Sequence, residues 1–367
     1  MTDLVVVSLE AWDEVWRRNQ YLVAGLLDTD EDLRVLFVEP ADDPLHAIRR
    51  GAVPRFGHRL RLMDERLWTL RPVKWLPRRL DPMADERLAL AALKAARRLG
   101  MDRPLVWIND PAAAGISRMT GWPALYDMTD DWLAADRSPG ELARIAAGED
   151  WLLDKAAIVV ACSPELARRK SGRRADIAVI RNGVDVARYR EPADRPADLP
   201  DGPCVVYVGT LHRDRLDVDL CAATAKALGS GARLVLVGPN ALDPSDSARL
   251  RRAGAQVLGA RPRASVPGYL QHADVLVVPH RVTSFTESLD PLKLYEYLAV
   301  GRPIVSTPVA GFRDVPGVVT ADGTSFADAV VRARSTPTRP STLAGALDAD
   351  WSTRVVEYRA LLRDRTI

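Results

Sequence analysis

Cysteine and aromatic residues are scarce in this chain. Only three cysteines occur in 367 residues, and aromatics make up 6%. Cys162, Cys204 and Cys221 are scattered and lack metal-ligand spacing, so neither a disulfide framework nor a zinc module is expected. No apolar run approaches the roughly 18–20 residues of a membrane span. No basic-then-apolar leader precedes the first apolar run, residues 4–8, and a cytoplasmic protein is the expectation. An excess of one charge is absent too. The 51 Lys and Arg nearly balance 49 Asp and Glu, giving a net charge of +2 and no global attraction to nucleic acid. Neither half has a Gly-x-Gly-x-x-Gly turn after its first strand, which disfavours a nicotinamide-dependent oxidoreductase.

What is present is ordinary globular composition, 47% hydrophobic and 27% charged, with length enough for two cores. Short apolar runs at 4–8, 33–39, 105–108, 124–126, 157–161 and 177–180 alternate with helical patterns at 15–27, 83–99 and 141–155. Residues 44–80 read as irregular and basic, with a short strand near 67–70. Residues 186–203 hold four prolines and read as a linker. The alternation then restarts, with strands at 204–208, 234–237, 256–258 and 275–278. Continuous apolar runs separated by helices imply parallel sheets covered on both faces. The expected fold is α/β: two doubly wound Rossmann-like domains facing an interdomain cleft. The expected domains are 1–185 and 186–350, with 351–367 a helix returning towards the first.

Residues 285–307 read as loop, helix, stop and strand. Asp290 is placed as the helix cap, Pro291 in the first turn, and Gly301 and Pro303 as the stop. Lys293 puts a cation where the helix dipole disfavours one, unless an anion binds there. Glu296 follows one turn later on roughly the same face, where a carboxylate can accept two hydrogen bonds from a vicinal diol. Diphosphate at the helix start and ribose one turn deeper describe a nucleotide-sugar. The competing reading is a solvated Lys–Glu pair on a surface helix.

Four stretches carry a resemblance: 207–217 (Tyr-Val-Gly-Thr-Leu-His-Arg-Asp-Arg-Leu-Asp), 234–239 (Leu-Val-Leu-Val-Gly-Pro), 273–279 (Ala-Asp-Val-Leu-Val-Val-Pro) and 288–298 (Ser-Leu-Asp-Pro-Leu-Lys-Leu-Tyr-Glu-Tyr-Leu). The second half resembles the donor domain of GT-B glycosyltransferases of the family 1/4 type, in the bacterial branch that includes teichuronic-acid and exopolysaccharide enzymes. The resemblance implies donor-binding roles for Gly209, Arg215, Gly238, Arg261, Ser288, Leu289, Asp290, Lys293 and Glu296. Arg215 is preferred over Arg213 for the diphosphate. Two departures stand out. Many retaining members carry two glutamates with seven residues between them; Ser288 occupies the first position, and Glu287 is one place off. Ser8-Leu-Glu-Ala-Trp12 replaces the glycine-rich loop common after the first strand.

On the other half, Tyr126-Asp-Met-Thr-Asp-Asp-Trp132 ends a strand, and Asp130 is the candidate general base. Trp12, Trp16, Arg17 and Arg18 are placed at the opening of the first helix as acceptor-side candidates; the plainer reading is partly packed tryptophans and solvated arginines. His280, at a strand end, is more simply a hydrogen-bonded structural residue than a sugar contact. Asp217-Val-Asp219 and Asp348-Ala-Asp350 have Asp-x-Asp spacing, but helix capping accounts for them, and no metal site or cofactor is expected. Residues 49–80 hold ten Lys or Arg, two acids and interleaved Trp68, Trp75, Leu76 and Leu80, a composition suited to an anionic membrane surface or to a plain basic exterior. The expected function is glycosyl transfer from a nucleotide-diphosphate sugar to an acceptor hydroxyl. A nucleotide-sugar 2-epimerase and a non-catalytic nucleotide-sugar-binding protein are the alternatives.

Overall fold

The computed structural model describes residues 3–14, 16–49, 53–54, 57–78, 80–335 and 348–364. The chain forms two compact units, Met1–Leu133 with Arg137–Ile180 and Val355–Ile367, and Ala134–Asp136 with Arg181–Arg354. Residues 181–185, placed in the first domain from sequence, therefore group with the second unit, as do the first four residues of the final helix, Trp351–Asp364. No helix among the described residues is long and apolar enough to cross a membrane.

The first unit is built on β1 (Asp3–Val7), β2 (Arg34–Val38), β3 (Arg59–Asp64), β4 (Leu67–Arg71), β5 (Leu105–Ile108), β6 (Ala124–Met128), β7 (Ile158–Ala161) and β8 (Ala178–Val179). They form one sheet in the order β3-β4-β2-β1-β5-β6-β7-β8. All pairs are parallel except β3–β4, an antiparallel hairpin within the stretch read as largely irregular. β3 was hidden because Arg59 and Arg61 interrupt its apolar pattern and Leu62, at the sheet edge, stays exposed. Val5, Leu36, Val106 and Ile108 point into one core on a single face, as period-two strand geometry requires.

Helix α1 spans Arg18–Thr29, so Trp12 and Trp16 precede it; neither tryptophan opens it. Gln20 Oε1 accepts the Arg17 N–H at 3.1 Å, closing the helix start at Arg17. Arg18 is not solvated. It is 4% exposed and donates to both oxygens of Asp127 (3.1 and 3.2 Å), to the Ile180 carbonyl (2.7 Å) and to the Tyr358 hydroxyl (2.8 Å). Tyr358 in turn stacks on Trp107, with ring centroids 4.7 Å apart. One guanidinium thus ties α1, β6, β8 and the final helix.

In the second unit β9 (Cys204–Val208), β10 (Arg233–Val237), β11 (Gln256–Gly259), β12 (Val275–Val278), β13 (Ile304–Ser306) and β14 (Val318–Thr320) form a parallel sheet in the order β11-β10-β9-β12-β13-β14. Alternation again sorts the side chains. Val205 and Tyr207 face one core, Cys204 and Val206 the other, so helices cover both faces. The order reverses around β9, and ligand crevices in such sheets lie at the carboxyl ends beside that reversal. The proline-rich stretch 186–203 is no free linker. Tyr189 and Leu199 are buried in the second core, and Gln271 donates to the Tyr189 and Glu191 carbonyls. All three cysteines are free and buried.

Asp127→Ala strands the Arg18 charge in the first core. It is expected to lower the first unit's unfolding free energy by about 3–5 kcal/mol, the cost of breaking a buried pair. Chemical denaturation monitored by circular dichroism checks this; a loss below about 1 kcal/mol contradicts the role.

Candidate nucleotide-sugar site

Three segments of the second unit converge at the carboxyl ends of β9, β10 and β12. The first is the turn after β9. Gly209 has φ +153°, and a Cβ there would lie 2.8 Å from Lys293 Nζ. Gly238, after β10, has φ +141°, and its Cβ would lie 2.1 Å from the Gly209 carbonyl oxygen. Two side-chain-free positions therefore let the loop close down beside the lysine. The loop is fixed further on by the Arg281 N–H, which donates to the Arg215 carbonyl at 2.7 Å. The Arg215 guanidinium sits 5.3 Å from the Phe285 ring centroid.

The second segment is helix α11 (Leu292–Val300), which starts one residue later than the sequence suggests. Pro291 occupies its cap position, and no side chain caps it. Asp290 is therefore not the cap. Its two oxygens accept the Asn182 N–H at 2.6 Å and the Tyr295 hydroxyl at 2.7 Å, fixing the segment before the helix. With first-turn amides lacking a side-chain partner, the helix start retains its anion-attracting character.

Lys293 stands in that first turn. Its ammonium donates to the Tyr207 hydroxyl at 3.2 Å and lies 4.7 Å from the centre of that ring. Among the described residues it forms no salt bridge. Burial, with the Arg215 charge second, pushes its pKa down to about 7. The third segment brings His280 from the end of β12. Its Nε2 is 3.1 Å from the Tyr207 hydroxyl, and burial, followed by the charges of Lys293 and Arg215, holds it far below the ordinary imidazole range. A neutral imidazole thus orients the tyrosine that carries the lysine.

Glu296 lies one turn along α11, with the Tyr189 hydroxyl donating to its Oε1 at 2.6 Å. Burial raises its pKa, while the Tyr189 hydrogen bond and the charges of Lys293 and Arg263 oppose the rise. Lys293 and Glu296 do not pair with each other, so the surface-pair reading does not describe them. Both remain partly accessible. Chemically, the arrangement offers a partly buried cation beside a helix start, a second cation in Arg215, and a carboxylate with an oxygen to spare one turn deeper.

Other sequence candidates fall elsewhere. Arg261 spans Asp198 and the Tyr269 hydroxyl, the latter at 3.0 Å; its loop neighbour Arg263 is the one that acts on Glu296. Arg213 pairs with Asp246, leaving Arg215 as the inward arginine. Ser288 is fully buried and donates to the Phe285 carbonyl at 2.8 Å, and Leu289 is 8% exposed. Glu287 pairs with Arg313. Asp217 caps its helix through Leu220 N–H at 2.9 Å and Asp350 accepts the Ser352 N–H at 2.9 Å, so capping accounts for these two, while Asp219 pairs with Arg249. Sequence reading missed Tyr207 and Tyr189. Both are buried aromatics whose hydroxyls serve the site, and nothing in their spacing separates them from core residues.

In the first unit, Asp127 and Asp131 are held in ion pairs, Asp131 by Arg169 and Lys170 at 3.0 Å each. Asp130 stands between them at the end of β6, partly exposed, with the Thr129 hydroxyl donating to it at 3.3 Å. Trp12 packs edge-on against Phe37 and tilted against Trp16, and Trp16 packs against Tyr21. The Trp12 N–H donates to Glu39 at 2.9 Å. The tryptophans thus pack against one another, Phe37 and Tyr21 just ahead of the helix start at Arg17.

Residues 202–335 match the glycosyl transferases group 1 family. That match lies wholly within the second unit. A Bacillus subtilis protein described as a teichuronic acid biosynthesis glycosyltransferase is 23% identical over 328 residues, 83% of this chain and 80% of its own. Sucrose-phosphate synthase from Thermosynechococcus elongatus shares the fold with a TM-score of 0.75 at 18% identity, covering 99% of each chain. Anabaena HepE, solved in complex with UDP-glucose, has a TM-score of 0.69 at 15% identity, covering 99% of this chain and all of its own. The fold is that of GT-B glycosyltransferases.

A lysine with a pKa of about 7 is half-charged near neutrality, and a bound diphosphate favours its charged form. Donor binding is therefore expected to take up protons at pH 7–8, and affinity to fall as pH rises above about 7. Calorimetry in buffers of differing ionisation enthalpy measures the uptake. It should vanish in Lys293→Met; uptake unchanged in that variant contradicts the assignment.

Proposed function

We propose that this chain transfers a glycosyl group from a nucleoside-diphosphate sugar to an acceptor hydroxyl. The observation that carries the reading is Lys293 standing in the first turn of α11 without an ion-pair partner among the described residues, with Glu296 one turn deeper and Arg215 opposite. Lys293 and Arg215 would hold the diphosphate and stabilise the charge that develops on it as the glycosidic bond breaks. Glu296, oriented by Tyr189, would accept both ribose hydroxyls. The family match over this domain favours glycosyl transfer over the epimerase alternative. The relatives support a nucleotide-sugar partner, since HepE is solved with UDP-glucose.

Asp130 is the proposed general base for the acceptor. Asp127 and Asp131 are consumed by ion pairs, and Asp130 is the aspartate of this cluster left partly exposed. In this reading two protein cations meet the leaving-group charge, so neither a divalent metal nor a further cofactor is required. Turnover measured with and without EDTA tests that point directly.

The first unit is proposed to take the acceptor and to touch an anionic membrane through the surface between residues 49 and 80. Trp75, Leu76 and Leu80 are 42–65% exposed there. Lys74 and Arg78 are paired with Asp43 and Asp85, which tempers their attraction, while Arg50, Arg55 and Arg79 lie outside the described residues.

Glu296→Ala is expected to weaken nucleotide-sugar binding by about 1–3 kcal/mol, the scale of charged hydrogen bonds. An unchanged calorimetric affinity in the folded variant removes the ribose role. Asp130→Asn is expected to lower turnover by roughly 100-fold or more with donor affinity retained. Near-normal turnover excludes it as the base.

A further inference from the structure

Helix α3 (Ala84–Arg98) in the first unit carries a face that none of the chemistry above uses. Positions 87, 90, 91, 94, 95 and 98 recur at helical spacing and line one side of a groove of about 370 Å³. The opposite side is built from Leu60 of β3, Leu70 of β4 and the following Val73 and Trp75. The volume falls in the range of small-molecule sites. Its lining is apolar at Leu60, Leu70, Val73, Leu90, Ala91 and Ala95, and cationic at Arg87, Lys94 and Arg98.

The lining charge has one sign. Arg87, Lys94 and Arg98 line the groove, and no carboxylate does. Arg87 is paired with Asp81, whereas Lys94 and Arg98 have no ion-pair or hydrogen-bond partner among the described residues. The apolar surface continues beyond the groove. Leu62, Met63, Leu76, Leu80 and Met83 of the same unit are 42–65% exposed. Solvated cations beside a hydrocarbon-lined slot match an amphiphile with an anionic head.

We propose that this groove seats one anionic phospholipid, its phosphate between Lys94 and Arg98 and its hydrocarbon along Leu60, Leu70, Val73 and Leu90. The inference builds on the proposed membrane contact, and moves the responsible charges from Lys74 and Arg78 to α3. A nucleic acid or a free anion would use the cations but not the apolar lining. A neutral lipid would use the apolar lining but not the cations.

The test uses the full chain and dihexanoyl phosphatidylglycerol below its critical micelle concentration, so that no membrane is present. Calorimetry is expected to show one site. Lys94→Ser with Arg98→Ser should weaken it roughly 100-fold or more, the loss of two charge-assisted hydrogen bonds to the phosphate. Leu90→Glu, on an exposed helix position, should abolish it. No binding to the wild type, an unchanged affinity in the double variant, or equal affinity for dihexanoyl phosphatidylcholine or inorganic phosphate each overturns the proposal. Sedimentation with phosphatidylglycerol vesicles separates it from the membrane contact. Vesicle binding that survives loss of the monomer site removes the groove as the docking point. Monomer binding without vesicle sedimentation keeps the groove and removes the membrane contact.

Discussion

A lysine ammonium held against a tyrosine ring at a helix start is the constraint around which the second unit is arranged. Such a charge is costly where it stands, since the helix dipole, the Arg215 guanidinium and partial burial all oppose it. The surroundings accept this cost in specific ways. Tyr207 offers its ring face and hydroxyl, and His280 stays neutral behind it. Gly209 and Gly238 give up side chains so that the loop closes next to the ammonium. Asp290, which could have neutralised the helix start, is turned away to Asn182 and Tyr295. An anion with two or more charges would relieve every one of these strains at once, and a diphosphate is such an anion.

The first unit shows the opposite treatment of charge. Arg18 is buried and donates to Asp127, Ile180 and Tyr358. Asp131, Glu149, Arg169 and Lys170 form another matched set, with Lys170 donating to Glu149 at 2.6 Å. Charges that are matched in this way specify packing. Lys293 in one unit and Lys94 and Arg98 in the other have no ion-pair partner among the described residues, and the proposed ligands would supply one. The distinction rests on partners, since both kinds of residue read alike in a sequence.

That difference sets what could be read before the structure. The two parallel sheets were legible because continuous runs such as 204–208 and 275–278 admit few other readings. Lys293 stands out in the sequence because a cation in a helix's first turn opposes the dipole, Glu296 because it follows one turn later, and Arg215 because its loop lies at a strand's carboxyl end and matches the resembling family. Arg261 and Arg263 were not separable, because which arginine meets Asp198 depends on the fold of residues 186–203. That proline-rich stretch looked like a linker by composition, yet it buries Tyr189, whose hydroxyl orients Glu296. The strand at Arg59–Asp64 was masked by its arginines, and with it one wall of the α3 groove.

The central claim is that Lys293 and its surroundings form a diphosphate anchor. It is tested most directly by comparing the affinity of a nucleoside diphosphate with that of its parent nucleoside, in the wild type and in Lys293→Met. The wild type is expected to bind the diphosphate far more tightly than the nucleoside, and the variant to lose most of that difference while keeping its affinity for the nucleoside. A difference that survives intact in the folded variant contradicts the account.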